Sequence, residues 1–284
     1  MTAFPAAPAQ HVEHCMGTVF SFDVRAPGVE RAGIDAAVAW LHHVDAVFSP
    51  FRGDSAVSRL RAGATTIPSE VRDVIARCAE LSARTDGYFS AHFGGEFDPS
   101  GYVKGWAIEV ASDILSSAGS RNHCVNGGGD VQCVGEAAPG REWRVGIADP
   151  RRPGQLLDVM AGRVRFAVAT SGIAERGSHI VNPHTGRAPE ALASVSVSAR
   201  SLTAADALAT AAFAMDAAAA DWLARQPGVS ALIVYTDGGR RYVRGSATPA
   251  APESPTSVRM YDLSRRRRLA RPGLNSAGRP RRES

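Results

Sequence analysis

The stretch FDPSGYVKGWAIEVASDIL, residues 97–115, joins an amphipathic helix to an unusual polar beginning. Its apolar side chains recur at helical spacing, at Val103, Ala107, Val110, Ala111 and Ile114. This pattern predicts a helix with one face in a hydrophobic core.

Three residues around the start of this helix, Asp98, Gly101 and Lys104, are spaced three apart. If Ser100 caps the helix, the backbone N–H groups of the next three residues point out of its positively polarised mouth and favour an anion such as phosphate. Lys104 adds a full charge, and Gly101 lets a ligand approach the backbone closely. The stretch lacks the GxxxxGK[ST] pattern of a P-loop. A capped helix with a surface lysine is the alternative.

Outward from this helix, the pattern predicts an α+β protein with mixed β-sheets flanked by helices. Upstream, residues 16–24 alternate like a strand, apolar spacing from Ile34 to Phe48 predicts a helix, and residues 69–83 predict another. Downstream, short strand patterns are interrupted by one alanine-rich helical stretch, residues 204–225.

Charge is unevenly distributed along this globular chain. Of its 284 residues, 44% are hydrophobic and 21% charged, so a sizeable core can form. The formal net charge is +4, but residues 247–284 carry nine arginines and three acidic residues, a net +6, which leaves −2 for residues 1–246. The body is nearly neutral, so no nucleic-acid partner is expected.

The two ends of the chain differ in composition from the middle. We expect residues 1–10 to be a flexible lead, residues 11–246 a catalytic domain and residues 247–284 a disordered arginine-rich tail. The arginine run at 265–268 could touch nucleic acid or an acidic membrane, but a solvated tail is favoured.

Compartment signals point to the cytoplasm. The first ten residues show no secretory signal, and no apolar run reaches the ~18 residues of a transmembrane segment. Cys15, Cys78, Cys124 and Cys133 form no CxxC pair and are expected to be reduced.

Two further motifs are glycine-rich. VNGGGDV, residues 125–131, reads either as a hairpin turn or as backbone exposed for a ligand. TSGIAERGSHIVNPHTGRAP, residues 170–189, is a polar loop that holds His179, either a general base near neutral pH or a structural histidine. Ser171 could be a nucleophile, but the nucleophile elbow of α/β-hydrolases is rejected because GxSxG is absent.

The fourth motif, LTAADALATAAFAM, places Asp206 and Thr210 one turn apart on a helix face. Carboxylate and hydroxyl oxygens suit a hard cation such as Mg²⁺. Thr203 and Asp206 also match the spacing of a capping box, and spacing alone leaves both interpretations open.

Taken in order, the segments across residues 14–215 resemble the FAD:protein FMN transferase (ApbE) family. The resemblance rests on these blocks: MGTVFSF, FSPFRGDSAVSRL, TDGYF, DPSGYVKGWAIE, VNGGGDV, WRVGIADP, VATSGIAERGSHIVNPHTGRAP and SVSVSARSLTAADALATAAF. It implies an ApbE-like fold and Mg²⁺-dependent transfer of FMN from FAD to a Thr or Ser hydroxyl of an acceptor protein. The product is a phosphoester, and AMP is released.

The resemblance also implies roles for individual residues. The Gly101 carbonyl, Asp206 and Thr210 are the expected metal ligands. The reaction also needs a base for the incoming hydroxyl, and His179, which the resemblance places against the nucleotide, is our candidate for it. The residues expected to contact FAD are Met16, Phe51, Asp98, Lys104 and Ile180.

One departure is Ser90, which stands in GYFSAHF where the family usually has a carboxylate. This departure leaves the flavin contacts of that region open. Two other functions also stay open, because the same site could serve a different acceptor or bind flavin without turnover. One is an FAD pyrophosphatase, which uses water as the acceptor and yields FMN and AMP. The other is a flavin-binding protein without turnover.

Overall fold

An eight-stranded antiparallel sheet forms the centre of the computed structural model, which describes residues 9–25, 31–93, 95–173 and 180–246. The strands are β1 (Ala9–Cys15), β2 (Thr18–Val24), β3 (His92–Phe93), β4 (Glu96–Phe97), β5 (His123–Gly127), β6 (Asp130–Gly135), β7 (Trp143–Ala148), β8 (Leu156–Gly162), β9 (Val164–Gly172), β10 (Leu192–Ala199), β11 (Ser230–Tyr235) and β12 (Arg240–Arg244). The large sheet has the order β1-β2-β5-β6-β9-β10-β11-β12, and β3–β4 and β7–β8 form separate two-stranded ladders. The chain divides into two units, Met1–Thr248 and Pro249–Ser284, and the second lies outside the described residues.

Two tight hairpins explain part of the strand order. Met16 and Gly17 connect β1 to β2 with φ angles of 51° and 69°, and Gly128 and Gly129 connect β5 to β6 with φ angles of 60° and 93°. Positive φ at both central residues suits the two-residue turns that match strand twist. The strand expected at residues 16–24 therefore begins at Thr18.

Helices pack against one face of the sheet. They are α1 (Arg31–Phe48), α2 (Ala56–Arg61), α3 (Ser69–Arg84), α4 (Ser100–Ser117), α5 (Leu202–Met215) and α6 (Ala219–Leu223). Eleven of the fourteen residues of α5 are buried, most of them alanines, so this helix lies in the interior and its small side chains permit close approach of its neighbours.

The prediction of a single helix over residues 204–225 is wrong. It breaks after Met215, and Asp216 adopts a φ of 55°. The Asp216 carboxylate accepts hydrogen bonds from the backbone N–H groups of Glu190 and Ala191, at 3.2 and 2.9 Å. These contacts hold the break before α6.

Strand alternation separates two hydrophobic clusters. Ala167 and Ala169 of β9 belong to the large cluster beneath the helices, whereas Phe166 and Val168 belong to a smaller one shared with β7. Because successive strand residues point to opposite faces, the two clusters cover the two faces of the sheet.

The α+β class expected from the sequence is confirmed, since helices and antiparallel sheets are both present. The sheets, expected to be mixed, are antiparallel in all pairings among the described residues. Strand β1 starts at Ala9, inside the lead expected to be flexible, and residues 1–8 lie outside the described part. Among the described residues, one helical stretch, Leu202–Leu223, has the length and composition to cross a membrane, as buried core helices also can. Of its most apolar 18-residue part, 67% is buried in the protein.

Candidate functional site

Helices α4 and α5 touch directly at Gly105 and Asp206. The Gly105 N–H donates a hydrogen bond to Asp206 Oδ2 at 3.1 Å, across 101 positions of sequence. A Cβ added at Gly105 would lie 2.9 Å from the Asp206 Cβ and 3.0 Å from the backbone oxygen of Leu202. The glycine is therefore required for this approach, which holds a carboxylate that is only 4% exposed.

One turn further along the same contact, Gly101 lies beside Thr210. A Cβ at Gly101 would be 3.9 Å from Thr210 Cγ2, and Thr210 Oγ1 is 3.4 Å from Ser171 Oγ on β9. Gly101, Asp206 and Thr210 thus lie along one contact between α4 and α5, and their role as metal ligands stays a prediction.

The donor set at this contact consists of oxygen atoms, which fits Mg²⁺. No group of three or more His, Cys, Asp and Glu side chains that could hold a metal occurs within the described ranges, so a cation here would depend on one carboxylate plus hydroxyl and carbonyl oxygens. The capping-box interpretation of Thr203 and Asp206 is wrong. Ser201 is the N-cap of α5, and its hydroxyl accepts the Ala204 N–H at 3.2 Å.

Lys104 pairs with Asp130, the aspartate of the VNGGGDV motif. The Lys104 Nζ lies 2.7 Å from Asp130 Oδ2, and Oδ1 of the same buried carboxylate accepts the Thr170 N–H at 3.1 Å. Asp130 thus holds the lysine beside the strand that leads into the 170–189 loop. An ion pair of this kind compensates the cost of burying the carboxylate.

The backbone geometry and packing explain why VNGGGDV has a glycine at each of its three central positions. A Cβ at Gly127 would lie 2.6 Å from Phe20 Cε1, and Gly128 and Gly129 form the turn at positive φ. The hairpin interpretation thus accounts for Gly128 and Gly129, and packing against Phe20 accounts for Gly127.

The N-terminus of α4 differs from the predicted one. Ser100, which was expected to be the N-cap, is the first residue of the helix. Asp98 Oδ1 accepts the Ser100 N–H at 2.9 Å and the Ser100 hydroxyl at 2.5 Å. The Pro99 carbonyl accepts the N–H groups of Tyr102 and Val103, both at 2.9 Å. Most of the donors expected to face an anion are therefore used within the chain.

A partly buried network that sequence reasoning missed joins α4, α5 and β9. The Glu109 carboxylate on α4 accepts four hydrogen bonds, from Ser201 Oγ at 2.7 Å, Thr203 N at 2.9 Å, Thr203 Oγ1 at 2.6 Å and Arg165 Nη2 at 2.8 Å. Arg165 also pairs with Asp113 at 2.7 Å. The only signal in the sequence is an acidic residue one turn after Gly105, which surface helices also show.

The charges of this network are stabilised against burial. Burial opposes ionisation of Glu109, but hydrogen bonds from Thr203 and Ser201 outweigh it and lower the pKa of the carboxyl. Burial likewise opposes the charge on Arg165, and the hydrogen bond and ion pair with Asp113 outweigh it and raise the guanidinium pKa. The groups thus form a charged, hydrogen-bonded cluster at neutral pH.

The sequence of this chain is similar to one family of known proteins. A sequence model described as the ApbE family matches residues 16–95 and 92–233, which is most of the chain. The chain belongs to the ApbE family. Proteins named FAD:protein FMN transferase are similar to it. The one from Rhodobacter capsulatus is 33% identical over 213 residues, which cover 71% of this chain and 38% of the relative. The one from Vibrio cholerae is 32% identical over 163 residues, which cover 54% of this chain and 49% of the relative. The chain thus spans under half the length of these two relatives.

Solved ApbE structures share the fold. An ApbE protein of Thermotoga maritima has a TM-score of 0.72 at 24% identity, with 84% of this chain and 97% of that chain covered. The apo flavinyl transferase ApbE of Pseudomonas stutzeri has a TM-score of 0.74 at 21% identity, with 86% and 98% covered. At these identities the likeness concerns the fold alone.

The remaining residues expected from the ApbE resemblance lie elsewhere on this frame. Met16 lies in the β1–β2 turn. Both Met16 and Ile180 are partly buried against the large hydrophobic cluster. Phe51 follows α1 with 90% of its surface exposed. His179 lies outside the described residues, so its role stays a prediction. Ser90 forms a local turn with the backbone of His92, at 2.9 and 3.1 Å.

Proposed function

We propose that this protein is an FAD:protein FMN transferase, which moves FMN from FAD to a Thr or Ser hydroxyl of an acceptor protein. The observation that carries the proposal is the meeting of Gly101, Asp206 and Thr210 at the α4–α5 contact in a member of the ApbE family. Curated relatives with the transferase name support the same reaction.

The cation site would be held by the Asp206 carboxylate, the Thr210 hydroxyl and the Gly101 carbonyl. Mg²⁺ bound there supplies neutralisation of charge at the pyrophosphate oxygens of FAD. The 3.4 Å contact between the hydroxyls of Ser171 and Thr210 would orient the threonine oxygen.

The flavin nucleotide would be held by residues around this contact. Lys104 is fixed by Asp130 and adds positive charge near the phosphates. Asp98 lies at the mouth of α4, and Met16 and Ile180 offer partly buried apolar contacts. The exposed ring of Phe51 is suited to cover an aromatic ligand.

In the transfer step, the acceptor hydroxyl oxygen forms a bond to the phosphorus of the FMN half, and the bond from that phosphorus to the AMP oxygen breaks. The proton of the hydroxyl passes to His179 in this proposal. A positioned base of this kind contributes roughly 10²–10⁴-fold to the rate.

We also propose that residues 11–246 form the catalytic body and that the protein works in the cytoplasm. The four cysteines are free, which agrees with a reducing compartment.

The test mixes purified protein, FAD and Mg²⁺ with a lysate of its own host, followed by in-gel flavin fluorescence after denaturation and an assay of AMP. We expect a fluorescent band that EDTA removes. Asp206→Asn, which removes the charge at the contact, should abolish the band, and Asp221→Asn, the same change at an exposed aspartate, should retain it.

Two results would contradict the proposal. FMN and AMP without a labelled protein would identify a pyrophosphatase. Bound FAD without either product would identify a flavin-binding protein.

A further inference from the structure

The contact between α4 and α5 is built of three successive levels. Glu109 meets Thr203, Gly105 meets Asp206, and Gly101 meets Thr210. On α4 these residues are four apart, and on α5 they are three and four apart, so each set forms a stripe along one helix face. We call these three contacts the α4–α5 ladder.

The three contacts of the ladder differ in how firmly they can hold the helices. The contacts at Gly105 and Gly101 consist of one hydrogen bond and a close approach of small groups. The Glu109 level has three hydrogen bonds from the start of α5, two from Thr203 and one from the N-cap Ser201, at 2.6 to 2.9 Å. Hydrogen bonds to a carboxylate are stronger than neutral ones. The Glu109 level therefore fixes the helices most strongly.

Glu109 is itself held in place. Arg165 of β9 donates to its second oxygen at 2.8 Å and pairs with Asp113, one turn further along α4. Its side chain is only 15% exposed, so water competes little for these bonds. The position of the carboxylate is thus determined by the sheet as well as by its own helix.

We propose that Glu109 is a positioning residue that sets the rotation and register of α5 against α4, so that the oxygens of Gly101, Asp206 and Thr210 converge. This rests on the proposed cation site. Glu109 is two helical turns from Gly101, roughly 12 Å along the axis, and acts through the ladder without touching the cation.

The test uses Glu109→Gln, which keeps the size of the side chain but removes its charge. Mn²⁺ affinity is measured by titration calorimetry in the presence of FAD, at a temperature where circular dichroism shows all variants fully folded. We expect Mn²⁺ binding to weaken about tenfold or more, with FAD affinity without cation changed less than about twofold.

A second readout needs no metal. The Gly105 amide proton faces Asp206, so its chemical shift reports the register of the ladder. It should move in Glu109→Gln. The control is Ser112→Ala, which breaks a buried 2.8 Å contact between α4 and His123 outside the ladder. It should leave both the Gly105 signal and the Mn²⁺ affinity unchanged.

The outcomes separate the two proposals. An unmoved Gly105 signal in Glu109→Gln, or Mn²⁺ affinity equal to that of Ser112→Ala, would overturn the positioning role. Wild-type protein that binds no Mn²⁺ would overturn the proposed cation site, and with it this use of Glu109. If Glu109→Gln does not fold, Thr203→Val removes only the 2.6 Å hydroxyl bond, and a smaller change in the same direction is expected.

Discussion

The first turns of α4 and α5 differ in where the acceptors of their backbone N–H groups come from. At α4 the acceptors come from the two residues before the helix, the Asp98 carboxylate and the Pro99 carbonyl. At α5, the Leu202 N–H donates to Gln132, 70 positions away, and the Thr203 N–H donates to Glu109, 94 positions away. The acceptors at the N-terminus of α4 are thus local, whereas α5 combines a local cap, Ser201, with two acceptors from distant parts of the chain.

This difference separates formation of a helix from its placement. A local cap stabilises a helix wherever it lies, typically by ~1 kcal/mol. Acceptors from other elements stabilise the helix only when it lies against them, so they also specify its position. Of the two helices, α5 carries Asp206 and Thr210, and these side chains can serve the proposed cation site only if α5 lies in the right place against α4.

The largest expected change in the free energy of unfolding comes from removing the Glu109 carboxylate, the acceptor that reaches α5 from α4. Glu109→Ala leaves Arg165 without one partner and the Thr203 donors without an acceptor, and it should lower the free energy of unfolding by about 3–5 kcal/mol. Asp98→Ala, the matched change at α4, should lower it by about 1 kcal/mol. Urea unfolding at pH 7 measures both, and equal losses would remove the distinction between the two helix mouths.

The next effect concerns how the far end of α4 is tied to β5. His123 is buried between the hydroxyls of Ser112 and Ser120, at 2.8 and 3.0 Å, and burial lowers its pKa to about 4. The unfolded chain therefore binds the proton first as the pH falls below ~6.5, so stability declines toward pH 4, by roughly 3 kcal/mol in total.

The check is urea unfolding between pH 4 and 7. His123→Gln should lose this part of the pH dependence while the carboxylates keep theirs. A variant whose stability falls with pH as steeply as that of wild type would exclude His123 as the source.

The smallest effect probes the closeness of the helices. Gly105→Ala places a methyl group 2.9 Å from the Asp206 Cβ and should cost about 1–3 kcal/mol through overpacking. In Gly101→Ala, one turn earlier, the nearest atom to the new methyl group is Phe89 Cε2 at 3.4 Å, and Thr210 Cγ2 of α5 is 3.9 Å away. This substitution should change the free energy of unfolding by under ~1 kcal/mol. Thermal unfolding of the two variants measures the difference, and similar values would mean that α5 can shift away from α4.

The sequence predicts well what depends on neighbours along the chain. The apolar spacing around Val103 predicted α4, and the pairing of Asp206 with Thr210 on one face held because both lie on α5. Periodicity could not show the break at Asp216, because its carboxylate is occupied by the backbone of Glu190 and Ala191, 25 or more positions away.

The cap of α4 and the closure of α5 were misjudged for different reasons. Ser100 and Asp98 are both good capping residues, and only the path of the chain decides which carboxylate or hydroxyl reaches the N–H groups. Glu109 has the composition of a surface helix residue, and nothing in its neighbourhood indicates Arg165 or Thr203. The arrangement of Gly101 beside Thr210 came from the family resemblance rather than from spacing.

The 101 positions between Gly105 and Asp206 have a consequence for synthesis. At ribosomal rates of ~5–20 residues per second, α5 follows α4 by on the order of 5–20 s. During that interval the nascent chain has the glycine face of α4 but neither Asp206 nor Thr210. The proposed cation site is therefore incomplete until α5 has been synthesised, and the proposed flavin transfer would have to wait for that helix.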